Sequence, residues 1–249
     1  MQRIGSDLVT AYDDEQFYCF NSVNMILPKN TKYNLKYVLA ILNSNLMNYY
    51  FNQRFAAFSK FTVNVTQGYL SQLPIHTPNK EQQKIVVKLV DELLKKHKTL
   101  LQHRKLSNDF QLLLKGVETT SLSEFPSVIF SICGNKIEKF RRSKQVVYLN
   151  LVDSIECPDS LTAKYVFYWL KSNEEKLKVI PDLKNRLTKI NIPVKRKDLK
   201  KAVSNYEKVE KQLKELPNEI TKLEEQINNQ VYELYGVTKE RDFIEARMN

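Results

Sequence analysis

Glycine is scarce: 5 residues in 249, about 2% where about 7% is usual. Gly5, Gly68, Gly116, Gly134 and Gly236 lie far apart, so neither a glycine-rich phosphate loop nor a dinucleotide fingerprint can be written with them. Cys19, Cys133 and Cys157 form no C-x-x-C pair and are odd in number. They read as buried thiols of a cytoplasmic protein rather than a disulfide framework. His76, His97 and His103 do not join them at zinc-ligand spacing. His97 and His103 are six apart on an expected helix and point to different faces. No metal or cofactor site is expected in this chain. No apolar stretch approaches the about 20 residues that span a bilayer, and the first residues, MQRIGSDLVTAYDDE, hold no apolar leader segment.

What is present is a sizeable apolar fraction and a basic surplus. Apolar residues make up 42%, enough for a real core, and 39 Lys and Arg against 28 Asp and Glu give a net charge of +11. That surplus favours a polyanionic partner, nucleic acid before an anionic membrane. The long helices carry mixed charge, which weakens the membrane-surface option. Asn79 precedes a helix over about Lys80–Lys105, with Gln82 placed to complete a capping box. Its apolar stripe is Ile85, Val86, Leu89, Val90, Leu93 and Leu94, which Leu100 and Leu101 extend. A second long helix begins near Asp198. There Tyr206, Val209, Leu213, Leu216, Ile220, Leu223 and Ile227 alternate steps of three and four, an a/d seam. The seam can close on another chain, giving a dimer through residues 206–234, or on the first helix. Pro217, inside it, is expected to kink or restart the helix.

A segment of mixed character precedes each helix. Residues 1–78 hold β-like runs (17–20, 22–27 and 61–65) and a helical run from Leu35 to Tyr50. Residues 121–193 hold β-like runs (127–132 and 145–152) and a helical run from Ala163 to Leu177. The two segments resemble each other. KYVLAILNSN (36–45) and KYVFYWLKSN (164–173) agree at six of ten positions, and Leu70–Ile75 aligns with Leu187–Ile192. The same order of strands, K-Y-V helix, loop and long helix therefore occurs twice. A duplication explains this better than two similar amphipathic helices arising by coincidence. The expected class is α+β. Two small mixed units, 1–78 and 116–194, are each followed by a long helix, 79–115 and 195–249. The two helices form an antiparallel spacer or coiled coil.

The run L-P-I-x-x-P-x-x-E-Q-Q-K-I-V, Leu73 to Val86, resembles the end of a target-recognition domain and the start of the spacer helix in DNA specificity subunits of type I restriction-modification systems. The K-Y-V-x-x-x-L-x-S-N helix is similar to theirs as well, and Ile192-Pro193-Val194 with the Tyr206–Gln212 stretch resembles a second spacer. The C-terminal run Ile227–Thr238 is similar to the D-x-x-V-Y-x-L-Y-G-L-T ending of TaqI-type and type IIG adenine methylase specificity domains, with Asn228 where an acid is usual. In that run Gly236 suits a helix C′ position and Thr238 can cap the next short helix. The start, Arg3 to Ala11, resembles the middle of a recognition domain, which leaves open an N-terminal truncation of the first unit. The resemblance implies a non-catalytic module that directs a methyltransferase using S-adenosylmethionine, or an endonuclease, to its target. An adenine methylase would need an N-P-P-[YF] loop, and the chain has no Pro-Pro. The methylase chemistry therefore lies in another domain or chain.

DNA binding needs cations for phosphates and polar side chains for bases. Two runs carry +4 each: residues 136–144, with Lys139, Arg141, Arg142 and Lys144, and residues 195–201, with Lys195 and Arg196. The first is preferred, because cations at the start of a helix oppose its dipole. The base-reading candidates are Arg54, Lys60, Asn64, Thr66, Gln67 and Tyr69 in the first unit. In the second they are Lys184, Asn185 and Arg186. If both segments read DNA, the spacer helices fix the gap between two half-sites. The competing classes are a coiled-coil scaffold and an RNA-binding module. A nuclease set, Pro158-Asp159 with Glu174 and Lys176, would have to bring both acids to one metal; solvated helix-end charges are the preferred reading.

Overall fold

The computed structural model describes all residues except 21, 29–31, 57–62, 135, 136, 138, 178–181 and 249, and the side chain of 56. The fold is mixed α and β, with small antiparallel sheets and two long helices. The chain divides into two compact units, Met1–His97 with Asn218–Asn249, and Lys98–Pro217. Each unit holds the N-terminal part of one long helix and the C-terminal part of the other.

In the first unit, β1 (Ile4–Gly5) pairs antiparallel with β2 (Val63–Asn64). Helices α1 (Leu35–Leu42) and α2 (Asn45–Phe51) replace the single run expected from 35 to 50. The break is made by Ser44. Its backbone is extended, its hydroxyl accepts from the Met47 amide to cap α2, and the same hydroxyl donates to the Ile41 carbonyl. A π-helical turn, Asn52–Ala56, follows. Thr66 caps the short α3 (Gln67–Leu70). The long α4 (Lys80–Asn108) opens with the expected capping box. The Asn79 amide donates to Gln82 Oε1 at 3.0 Å and the Gln82 amide to Asn79 Oδ1 at 2.8 Å. Residues 17–20 form no strand. Within 22–27, among the described residues, only Val23 bridges, to Gln2; residues 61 and 62 lie outside the described residues.

In the second unit, Asn108 ends α4 and a 3-10 turn (Phe110–Leu114) follows. Strand β3 (Thr119–Ser121) pairs with a later strand, Asn191–Pro193. Strands β4 (Ile129–Ser131), β5 (Arg141–Ser143), β6 (Val146–Tyr148) and β7 (Ser154–Glu156) form an antiparallel sheet in the order β4-β7-β6-β5. Helix α5 (Ser160–Ser172) is capped by Asp159, whose carboxylate accepts from the Leu161 and Thr162 amides. Short helices α6 (Glu174–Leu177) and α7 (Leu183–Thr188) lead to β8, the Asn191–Pro193 strand, and to α8 (Arg196–Tyr235). Helix α8 runs through Pro217 without restarting.

Gly236, at φ +68°, ends α8, and the Val237 amide closes on the Tyr232 carbonyl. Thr238 lies within the next 3-10 turn and makes no cap, so that expectation fails. Helix α9 (Arg241–Met248) closes the first unit.

The seam finds its cover within the chain. In the first unit, Ile227 and Val231 share one core with Val86 and Val90 of α4, and Lys96 pairs with Glu219 at 2.6 Å. Those pairings run in opposite senses along the two helices, so they are antiparallel there. In the second unit, Leu199, Ala202, Val203 and Tyr206 of α8 join a core with Phe110 and Tyr165.

The internal repeat has a physical counterpart. Tyr37 in α1 and Tyr165 in α5 hold corresponding positions and are both fully buried. The Tyr37 hydroxyl donates to the His76 carbonyl at 3.3 Å, and the Tyr165 hydroxyl to the Asn191 carbonyl at 2.5 Å. Each tyrosine thus ties its helix to the segment that enters the long helix. Burial pushes both phenols well above their ordinary range. The segments differ in detail: β8 is paired with β3, whereas Pro74–His76 bonds the Tyr235 hydroxyl, through the Pro74 carbonyl and the His76 amide.

Candidate nucleic-acid interface

The β1–β2 ladder sets Asn64 opposite Ile4 and leaves its side chain exposed, where it accepts from Arg3 Nε at 3.3 Å. One residue beyond the buried Val65, the Thr66 hydroxyl accepts from the Tyr69 amide, and Gln67 stands exposed at the head of α3. Tyr69 stacks on Phe55 at 4.7 Å, and Phe55 rests on the buried Phe51 at 5.6 Å. Arg54 is exposed on the π-helical turn. That turn is anchored by buried Asn52, which donates to Asp7 Oδ1. Asn64, Thr66, Gln67 and Tyr69 therefore follow one another from β2 into α3. Lys60 lies outside the described residues. Arg3 escaped the sequence reading because its pairing with Asn64 spans 61 positions.

In the second unit the register of the four-stranded sheet sorts the cations. Phe130, Ile155, Val147 and Arg142 lie in one row across the strands. That row faces α5: Val147 and Ile155 are fully buried, and Arg142 Nη1 donates to the Lys144 carbonyl and to Ser160 Oγ. The opposite face is open. It carries Ser131, Ser154, Tyr148 and Arg141 in one row, and Ile129, Glu156, Val146 and Ser143 in the next. The Arg141 guanidinium sits over the Tyr148 ring at 4.7 Å, a stiff cationic plate. Lys144, at φ +48°, turns the β5–β6 hairpin and is exposed, as is Lys139 before β5. Adjacent Arg141 and Arg142 thus point to opposite faces, as the period of two requires.

Two cations of the second basic run are paired with acids. Arg196 Nη1 pairs with Asp159 Oδ2 at 2.6 Å and Lys195 with Glu118 at 3.5 Å. Burial pushes the Asp159 carboxyl up, but the Thr162 and Leu161 amides and Arg196 outweigh it and hold it below the usual carboxylate range. Lys184, Asn185 and Arg186 are exposed on α7. Glu207 is kept low by Lys164, against burial, with help from the Tyr168 hydroxyl; burial and Glu207 in turn push that phenol up to about 12. The nuclease set does not assemble. Asp159 caps the start of α5, while Glu174 and Lys176 lie beyond its end, about 20 Å away along a 13-residue helix. Among the described residues no three His, Cys, Asp or Glu side chains converge as metal ligands, and no helix is long and apolar enough to cross a membrane.

Residues 1–75 match the TaqI-like C-terminal specificity domain. The matched span contains the β1–β2 ladder, the π-helical turn and α3, which together present Arg54, Asn64, Thr66, Gln67 and Tyr69. No curated protein and no solved structure matches the chain. The specificity-domain match stops before α4 and does not reach the second unit.

Proposed function

We propose that the chain is a sequence-specific DNA-binding module of a restriction-modification enzyme. It directs an adenine methyltransferase, or an endonuclease, that resides in another domain or chain and supplies the S-adenosylmethionine chemistry. The observation that carries this reading is the match of residues 1–75 to a specificity domain. The stacked Arg141–Tyr148 pair on the open sheet, with three serines beside it, supports a second contact surface: cations for phosphate and short polar side chains for base edges. Association of the module with a methyltransferase domain follows from the same match. A scaffold working through the a/d seam is less well supported, because Val209, Leu216, Ile220, Leu223 and Ile227 are already buried in the single chain.

The test is fluorescence anisotropy with a mixed-sequence DNA duplex across a salt series, followed by selection of preferred sequences from a random pool. The expected result is binding that falls steeply as salt rises and enrichment of a defined sequence. Binding without salt dependence, none at low salt, or equal preference for an RNA duplex overturns the reading.

A further inference from the structure

Between β6 and β7 the chain turns through Leu149 to Asp153. At the tip Leu151 is 95% exposed and Val152 76% exposed, the two most exposed aliphatic side chains among the described residues. A flexible turn would fold such side chains back onto the protein, but this one is braced. Asn150 Oδ1 accepts from the Val152 amide at 2.8 Å and the Asp153 amide at 2.6 Å, and Asn150 Nδ2 donates to Asp153 Oδ2 at 2.8 Å. The buried Asp153 carboxylate also accepts from the Cys133 amide at 2.7 Å and the Gly134 amide at 3.2 Å. A Cβ on Gly134 would meet Asp153 Oδ2 at 2.7 Å, so only glycine lets that carboxylate close on the loop. The turn therefore holds two aliphatic side chains out in water by construction.

Size and charge say what meets them. Two side chains are far too small for a protein partner, which needs about 800 Å² from each side. A single base step takes one or two apolar side chains. The tip lies at the end of the sheet where Arg141 pairs with Tyr148, and the chain enters β5 there through Lys139, both cations exposed. The one acid of the turn, Asp153, is directed inward and satisfied. We propose that Leu151 and Val152 form a wedge that enters the minor groove of a DNA duplex and parts one base step, while Arg141 and Lys139 hold flanking phosphates. This rests on the DNA-binding reading above.

Wedges of this kind kink the duplex by about 20–90°. The test is ligase-driven circularisation of a 100-bp duplex of mixed sequence, shorter than the about 150-bp persistence length, with the full chain at low salt. The expected result is about a tenfold rise in circle yield with the native protein. L151S/V152S, compared at concentrations where anisotropy shows the duplex equally occupied, should lose that rise, and L151M/V152I should keep it. Native protein that binds without raising circle yield overturns the wedge and leaves the DNA reading standing. A serine variant that circularises as well as native protein overturns it too. Absence of binding at low salt overturns both readings.

Discussion

Asp153 shows how much one buried carboxylate can organise. It accepts from two backbone amides and from Asn150, and those donors hold its carboxyl below the ordinary range: the Cys133 amide first, then Asn150, with burial opposing. Truncation to Ala strands two amides and should cost about 2 kcal/mol at neutral pH. The sign of the pH dependence follows from the depressed folded value. The contribution is complete above the ordinary carboxylate range and is lost as pH falls through the folded value. Urea melts of native protein and D153A should therefore differ at pH 7 and converge in acid; a gap that persists unchanged at pH 2 would disprove the assignment. Gly134 makes an independent check on the same contact. Since its Cβ would stand 2.7 Å from Asp153 Oδ2, G134A should cost about 1–3 kcal/mol, although the residue lies in no regular element.

The two long helices raise a different question at the scale of elements, because α8 tolerates a proline where none belongs. Pro217 cannot donate to the Leu213 carbonyl, and its ring crowds that carbonyl. The α8 seam compensates by burying Leu216 and Ile220 on either side of it. P217A should restore the backbone bond and raise stability by about 1–3 kcal/mol, read from the midpoint of denaturant unfolding at unchanged slope. I227A should instead lower it by about 2–4 kcal/mol, since it opens a cavity beside Val90 and Val231. The periodicities that define these helices were plain in the sequence. So were the Asn79–Gln82 capping box, the Gly236 stop and the repeated K-Y-V helix, because each is written in residues a few positions apart. The β structure was less legible. Strands of two and three residues are too short to display alternation, and segment 17–20 has strand-like composition without a pairing partner among the described residues. The candidate interface was legible as composition, and its sorting was not. That Arg141 faces out while Arg142 turns toward Ser160, and that Arg196 is taken by Asp159, depends on strand register and on contacts up to 37 positions apart.

For the whole molecule, a net charge of +11 guarantees attraction to any polyanion and so cannot by itself distinguish DNA recognition from general stickiness. Single cations can. A Lys or Arg that neutralises a phosphate releases a counterion, and its loss should lower the slope of log affinity against log salt by about 0.9 without regard to sequence. A base-reading arginine behaves otherwise, costing about 1–3 kcal/mol and relaxing discrimination at one position. Arg141, stacked on Tyr148 and open to solvent, and Lys139 should belong to the first kind, and Lys184 on α7 to the second once a preferred sequence is in hand. Arg196 provides the contrast. Its charge is already met by Asp159 at 2.6 Å, so R196A should leave both the salt slope and the affinity within about twofold of native. The measurement is one set of anisotropy titrations at four salt concentrations for native protein, R141A, K139A, K184A and R196A. If R196A weakens binding as much as R141A does, the surplus charge acts as an undivided field, and the face assigned to the β4–β7–β6–β5 sheet has no special part in binding.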